Sequence, residues 1–200
     1  MVAEAQTMEY LHRHGYPVPA VEEVGEDGSE LVMERIDGLS MGDYLRKRPW
    51  MIHRQGAVLA DLHRRLHEIP PPDTLRAAPV GQGECFLHMD LHPLNVIVSA
   101  KGPVVIDWPN AARGDPLVDV GLAWVLMTAG EVPTSRVIGA VLGRARALLV
   151  KGFLDNVELD LDQLKNKLRE VVGYKVRDPN MSESEQRAMW RMVEKFEPRA

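Results

Sequence analysis

Cysteine occurs once in this 200-residue chain, at Cys85, which excludes an internal disulfide and makes a reducing cytoplasm the expected compartment. Long apolar runs are missing too. Hydrophobic residues make up 45% of the chain, yet no run approaches the ~20 residues that cross a bilayer as a helix. The opening MVAEAQTMEYLHRHG lacks the basic flank and apolar block of a secretory leader. Positive charge is in deficit, with 24 Lys and Arg against 29 Asp and Glu. A formal charge of -5 argues against the clustered basic surface of a nucleic-acid binder. Internal repeats and low-complexity tracts are absent as well. What remains is a soluble, mildly acidic intracellular domain, with neither nucleic acid nor membrane among its expected partners.

What is present divides unevenly along the chain. Residues 3–14 carry helix formers, with Met8 and Leu11 among the apolar positions and Gly15 as a stop. YPVPAVEEVGEDGSELVMERIDG predicts two short strands around Glu26-Asp27-Gly28-Ser29, where an Asp-Gly pair tolerates the positive φ of a tight turn. The spacing of Ile52, Gly56, Leu59, Leu62 and Leu66 predicts one helix from about Trp50 to Ile69. Pro70-Pro71-Pro72 ends it, because proline has no amide donor and clashes with a preceding turn. A loop follows as far as Glu84, and then NVIVS and VVID form two apolar strands around the Lys101-Gly102-Pro103 turn. Beyond Asp115, the segments LVDVGLAWVLM, SRVIGAVLGRARALLVKGFL, DLDQLKNKLREVVGYKV and SESEQRAMWRMVEKF are all helical in pattern. Ser182 and Glu185 make a capping box for the last, each side chain bonding the other's free backbone amide.

The hairpin is where the polar chemistry gathers. HMDLHPLN sets Asp90 and, five residues later, Asn95 at the entrance to the first strand, and VVID delivers Asp107 at the end of the second. A hairpin returns the chain to where it began, so Asp107 should lie beside Asn95. A carboxylate to orient a hydroxyl and take its proton, next to two oxygen ligands for a hard cation, is what γ-phosphoryl transfer asks of a protein. The bland alternative is an Asn- and Asp-rich turn that merely ends two strands; the combined spacing argues against it.

The order H-x-D-x-x-x-x-N, strand, turn, strand, Asp is that of kinase catalytic and metal loops. HMDLHPLNVIV and VIDWPNAARGDPLVDVG resemble the aminoglycoside phosphotransferase and choline kinase family of small-molecule kinases. MERIDG resembles that family's hinge, and AEAQTMEYLHRHGYPVPAV its glutamate-bearing helix and following strand. The likeness runs from about residue 3 to 125, extends loosely into RDPNMSESEQ, and is strongest from His88 to Asp119. It implies an α+β, protein-kinase-like fold, with a truncated N-terminal β lobe (residues 1–36) and a mainly helical C-terminal lobe (residues 37–200). It also implies ATP- and Mg²⁺-dependent phosphorylation of a small-molecule hydroxyl. By this resemblance Asp90 is the catalytic base, Asn95 and Asp107 ligate Mg²⁺, and Met33 borders the adenine pocket. The backbone of Glu34 and Ile36 would hydrogen-bond the adenine edge. Asp115 and Asp119 look like the family's second acidic pair, which braces the catalytic loop. Asp115 has an equal claim as a helix-starting carboxylate.

The chain departs from the kinase pattern in several places. His92 stands where protein kinases commonly carry lysine, and Pro109 where they place glycine, which should stiffen that loop. Glu4 sits where the lysine-pairing glutamate belongs, but the first lysine is Lys47, already past the hinge, and no glycine-rich loop comes before Glu4. Gly81-Gln82-Gly83 opens no helix and is a loop. Three explanations stand open: the missing strands are encoded upstream, the enzyme is shortened, or the chain is a non-catalytic relative that binds a ligand or partner. Strands left uncovered near Ala20 to Glu34 predict a tendency to dimerise, as a homodimer, or to aggregate.

His88 is expected to be a buried structural residue, whereas His92 can either approach phosphate and metal or pack. His63 and His67 have a zinc-compatible spacing, but without a third ligand they are expected to pack or face solvent. Cys85 is expected to be a small buried hydrophobe. The run LDNVELDLD either attracts a cationic substrate or solvates a helix face.

Overall fold

The computed structural model describes residues 1–129 and 136–196. Helix α1 (Val2–Arg13) leads into the antiparallel strands β1 (Val21–Val24) and β2 (Leu31–Met33). Their turn contains Gly28 at φ 71°, the left-handed shape that glycine takes at no steric cost. Past the hinge, β3 (Gly38–Ser40) runs into α2 (Met41–Lys47), a 3₁₀ turn (Pro49–Met51) and α3 (Ile52–His67). After the proline loop come β4 (Cys85–Leu87), β5 (Val96–Ser99), β6 (Gly102–Val105) and β7 (Ala112–Gly114). Four helices follow: α4 (Pro116–Ala129), α5 (Arg136–Leu154), α6 (Leu161–Lys175) and α7 (Glu183–Glu194). Small sheets on a helical body make this an α+β chain.

Two features of this layout differ from the expected elements. The predicted Trp50–Ile69 helix divides: its first turn is 3₁₀, and a separate α2 precedes it. Ser40 starts α2 by accepting the Asp43 amide at 3.0 Å, a cap that apolar spacing does not reveal. Strands β3, β4 and β7 were not expected, because three residues carry too little alternation to stand out from loop. Ser135, the first residue of the predicted SRVIG helix, and Gly130 lie outside the described residues. The capping box is present in both directions, with Ser182 Oγ accepting the Glu185 amide and Glu185 accepting the Ser182 amide.

The core is built around α4, whose residues 118–125 are all buried. A helix apolar on every side can only sit inside. Within that run Asp119 is the one charge, and it is fully buried. Helices α3 and α5 cross at two glycines. A Cβ on Gly56 would stand 2.5 Å from the Leu149 carbonyl oxygen and 2.6 Å from the Phe153 nitrogen. Met8, Leu11, Tyr16 and Val18 of the first segment belong to the same buried cluster as α3 and α4. Among the described residues no helix is long and apolar enough to cross a membrane.

Candidate active site

The β5–β6 hairpin sets the geometry. Val96 pairs with Val105, and the Ile106 amide donates to the Asn95 carbonyl at 3.0 Å. That last rung holds the residue entering β5 against the residue leaving β6. Asn95 Nδ2 donates to the Asp90 carbonyl at 3.0 Å and, more loosely, to Asp107 Oδ2 at 3.4 Å. The structure thus brings Asp90, Asn95 and Asp107 into one place. Asn95 is buried, Asp90 half-buried and Asp107 exposed, so the group opens to solvent on the Asp107 side.

Two residues of this region hold a backbone shape that costs energy away from glycine: Met89 at φ 67° and Asp107 at φ 70°. Each has an anchor. The Met89 amide donates to Asp119 Oδ1 at 2.7 Å. Beyond Asp107, the buried Trp108 donates its indole N–H to the Val105 carbonyl at 3.1 Å and its amide to Glu4 Oε1 at 3.3 Å. Arg76 adds a brace, donating to the carbonyls of Pro109 and Ala111.

Asp119 accepts three hydrogen bonds: from Met89, from the His88 amide at 3.1 Å and from His67 Nε2 at 3.1 Å. Burial pushes its carboxyl up, but the His67 bond and the nearby His63, His67 and His88 outweigh that and hold it well below the usual carboxylate range. His88 is fully buried and donates Nε2–H to the Ile106 carbonyl at 3.1 Å, tying the loop before Asp90 to the strand before Asp107. Its own pKa is lowered, burial overcoming the pull of Asp119.

Asp90 has a cation that no sequence pattern suggested. Lys175 Nζ, from the last turn of α6, lies 3.1 Å from Asp90 Oδ1, and His92 Nε2 lies 3.7 Å from Oδ2. Burial raises the Asp90 pKa, but His92 and Lys175 together more than reverse it. Eighty-five residues separate the two partners of the lysine pair. No local motif encodes such a contact; the only sequence cue is a basic residue at a helix C-terminus, where the dipole favours it anyway. The His67–Asp119 bond, spanning 52 residues, was missed for the same reason.

The remaining candidates sort themselves by contact. The Glu34 amide donates to the Ala20 carbonyl at 2.8 Å, so of its two backbone groups only the carbonyl is left for a ligand. Met33 ends β2, and Ile36 lies in the connection to β3, whose partner strand β5 leaves the Asp90 loop. Asp115 Oδ1 accepts the Leu117 amide at the start of α4, and Lys167 Nζ lies 3.1 Å from Oδ2. His63 is buried and bonds the Leu59 carbonyl, so neither it nor the half-buried His67 faces solvent; among the described residues no metal-binding cluster of His, Cys, Asp and Glu occurs. Cys85, expected to be buried, is only half-buried, packed against the edge of the core from the short strand β4. Within the acidic run, Asp160 caps α6 and Asp155 pairs with Lys151 and His53, so both carboxylates have structural partners.

The model of the phosphotransferase enzyme family matches residues 73–149, a span containing Asp90, Asn95, Asp107 and Asp119. An aminoglycoside 3'-phosphotransferase of Streptomyces fradiae is 41% identical over 75 residues, covering 35% of this chain and 26% of that protein. A thiamine kinase of Escherichia coli is 39% identical over 62 residues, covering 31% of this chain and 20% of that one. These matches therefore span about a quarter or less of the curated relatives' lengths. Among solved structures, an aminoglycoside-3'-phosphotransferase of type VIII superposes with a TM-score of 0.57 at 18% identity, over 98% of this chain and 79% of that one. A choline/ethanolamine kinase family protein from Mesorhizobium loti gives a TM-score of 0.57 at 14% identity, over 96% and 77% of the two chains. The chain thus has a kinase-like fold, and its segment 73–149, which holds the polar hairpin, is similar to the phosphotransferase enzyme family.

Proposed function

We propose that this protein is an ATP- and Mg²⁺-dependent phosphotransferase acting on a hydroxyl of a small molecule. The observation that carries the reading is the meeting of Asp90, Asn95 and Asp107 at the open end of one hairpin. Asp90 is the base: its carboxylate orients the acceptor hydroxyl and takes its proton as that oxygen bonds the γ-phosphorus. The bond from the γ-phosphorus to the bridging oxygen breaks in the same event, and ADP leaves with the electron pair. Asn95 and Asp107 would hold Mg²⁺. The donor set fits a hard cation: with Asn95 Nδ2 committed to the Asp90 carbonyl, the amide oxygen of Asn95 and the exposed Asp107 carboxylate are the oxygen ligands such an ion takes. When bound, such an ion neutralises charge on the phosphates. Met33 borders the adenine, with the Glu34 carbonyl and the Ile36 backbone bonding its edge.

Support comes from neighbours of the same fold. An amicoumacin kinase is described in complex with AMP-PNP and Ca²⁺, and an aminoglycoside phosphotransferase in complex with ADP and hygromycin B. Within this reading, residues 1–36 form the nucleotide-side lobe and residues 37–200 the helical lobe, and the protein acts in the cytoplasm. The two-stranded β1–β2 sheet, with Val32 44% exposed, supplies an edge for a second copy of the chain. The rival reading, a kinase-like binding or regulatory protein, draws on Glu4. Its carboxylate bonds the Trp108 amide, and among the described residues no lysine pairs with it.

Incubation with labelled Mg·ATP and a panel of aminoglycosides, thiamine, choline and sugars tests the proposal. Phosphate should pass to one acceptor class, and Asp90→Asn should abolish transfer while the circular dichroism spectrum shows the fold retained. Unaltered turnover in Asp90→Asn would remove Asp90 from the chemistry.

A further inference from the structure

We infer that Lys175 is a positioning residue that fixes the carboxylate of Asp90, an inference that rests on the reading of Asp90 as base. A lysine side chain has four rotatable bonds and ordinarily wanders, so an ordered ammonium needs more than one anchor. Lys175 has two. Its Nζ lies 3.1 Å from Asp90 Oδ1 and 3.2 Å from Asp178 Oδ2, and its side chain is only 12% exposed. Asp178 is itself pinned, since its Oδ1 accepts the Asn180 amide at 3.0 Å. The support beneath is rigid: Leu164, Leu168, Val171 and Val172 bury one face of α6. The chain of contacts therefore runs from a packed helix, through a clamped ammonium, to one oxygen of Asp90.

The other oxygen faces His92 at 3.7 Å, and the Asp90 carbonyl is held by Asn95 at 3.0 Å. With separate neighbours for Oδ1 and Oδ2, the carboxylate plane has one orientation, which is what a base aimed at a hydroxyl requires. Coulomb attraction is also effective here, because both side chains are mostly screened from water, unlike the exposed ion pairs that dominate this surface. In protein kinases a lysine commonly lies two residues after the catalytic aspartate; here His92 occupies that position, and the cation arrives from the far end of the sequence instead.

The test uses the full chain with Mg·ATP, water as acceptor, and released inorganic phosphate as the readout. Lys175→Met should lower kcat about 100-fold while KM for ATP moves less than about threefold, and Lys175→Arg should restore most of the rate. On an Asp90→Asn background, Lys175→Met should change nothing further. A Lys175→Met enzyme with wild-type kcat, or a loss that compounds with Asp90→Asn, overturns the inference and leaves the role of Asp90 standing. Wild-type turnover in Asp90→Asn instead removes the reading beneath it, and the inference with it. Amide relaxation measured by NMR gives a second readout that needs no turnover. Lys175→Met should add exchange at Leu91, His92, Leu94 and Asn95 with the α4 amides undisturbed; unchanged loop amides refute the positioning role.

Discussion

A single imidazole shows how burial sets pH dependence. His63 lies one turn before His67 on α3, packs edge-on against Phe153 at 5.3 Å, and donates Nδ1–H to the Leu59 carbonyl at 2.9 Å. Its Nε2 is buried without a partner. Burial brings its pKa down from 6.5 to about 4, against the opposing charge of Asp119. Between those two values the unfolded chain binds a proton that the folded chain refuses. Stability is therefore complete above pH 6.5 and falls as the pH drops toward 4, by up to about 3 kcal/mol for this one group. Urea titrations across that range should show the slope, and His63→Leu should make it shallower, leaving the part that comes from the buried His88. A variant retaining the wild-type slope would assign the effect elsewhere. Asp119 adds to the loss at lower pH, because its depressed carboxyl must be protonated before that contribution disappears.

Among the elements, the α3–α5 crossing tolerates the least. Gly56 faces the backbone of Leu149, Gly152 and Phe153, which cannot move aside as a side-chain tip can. Gly56→Ala should cost about 1–3 kcal/mol, read from the denaturation midpoint; a loss of only a few tenths would show that the helices part freely. The sequence places Gly56 in the apolar stripe of α3, so the buried face was legible, but the close approach was not, since it depends on α5 nearly a hundred residues later. The same division holds at the site. The spacing of Asp90, Asn95 and Asp107 around two apolar strands predicts their meeting, because a hairpin is a local structure with a fixed return. Lys175 and the His67–Asp119 bond depend on how helices dock, and docking follows from the whole set of apolar faces rather than from any one segment. Strands of three residues, such as β4 and β7, are stabilised by a distant partner and have no period of their own to display.

At the scale of the whole molecule, one small sheet and one buried aspartate do the organising. Asp119, carried by the central helix α4, takes amides from the loop before Asp90 and an imidazole from α3, so the loop cannot shift without disturbing the core. The exposed edge of β1–β2 lies outside that organisation, and static light scattering should find a mass that rises with concentration toward the dimer. A constant monomer mass to millimolar concentration would dismiss the pairing. The β3–β5–β6 sheet has a practical corollary. Its turn at Ala100 and Lys101 is separated from Asn95 and Asp107 by the rungs Val98–Pro103, Ile97–Val104 and Val96–Val105. Extra residues spliced into that turn would leave those rungs in register, so a fluorescent reporter can ride there at the far end of the strand that leaves the Asp90 loop.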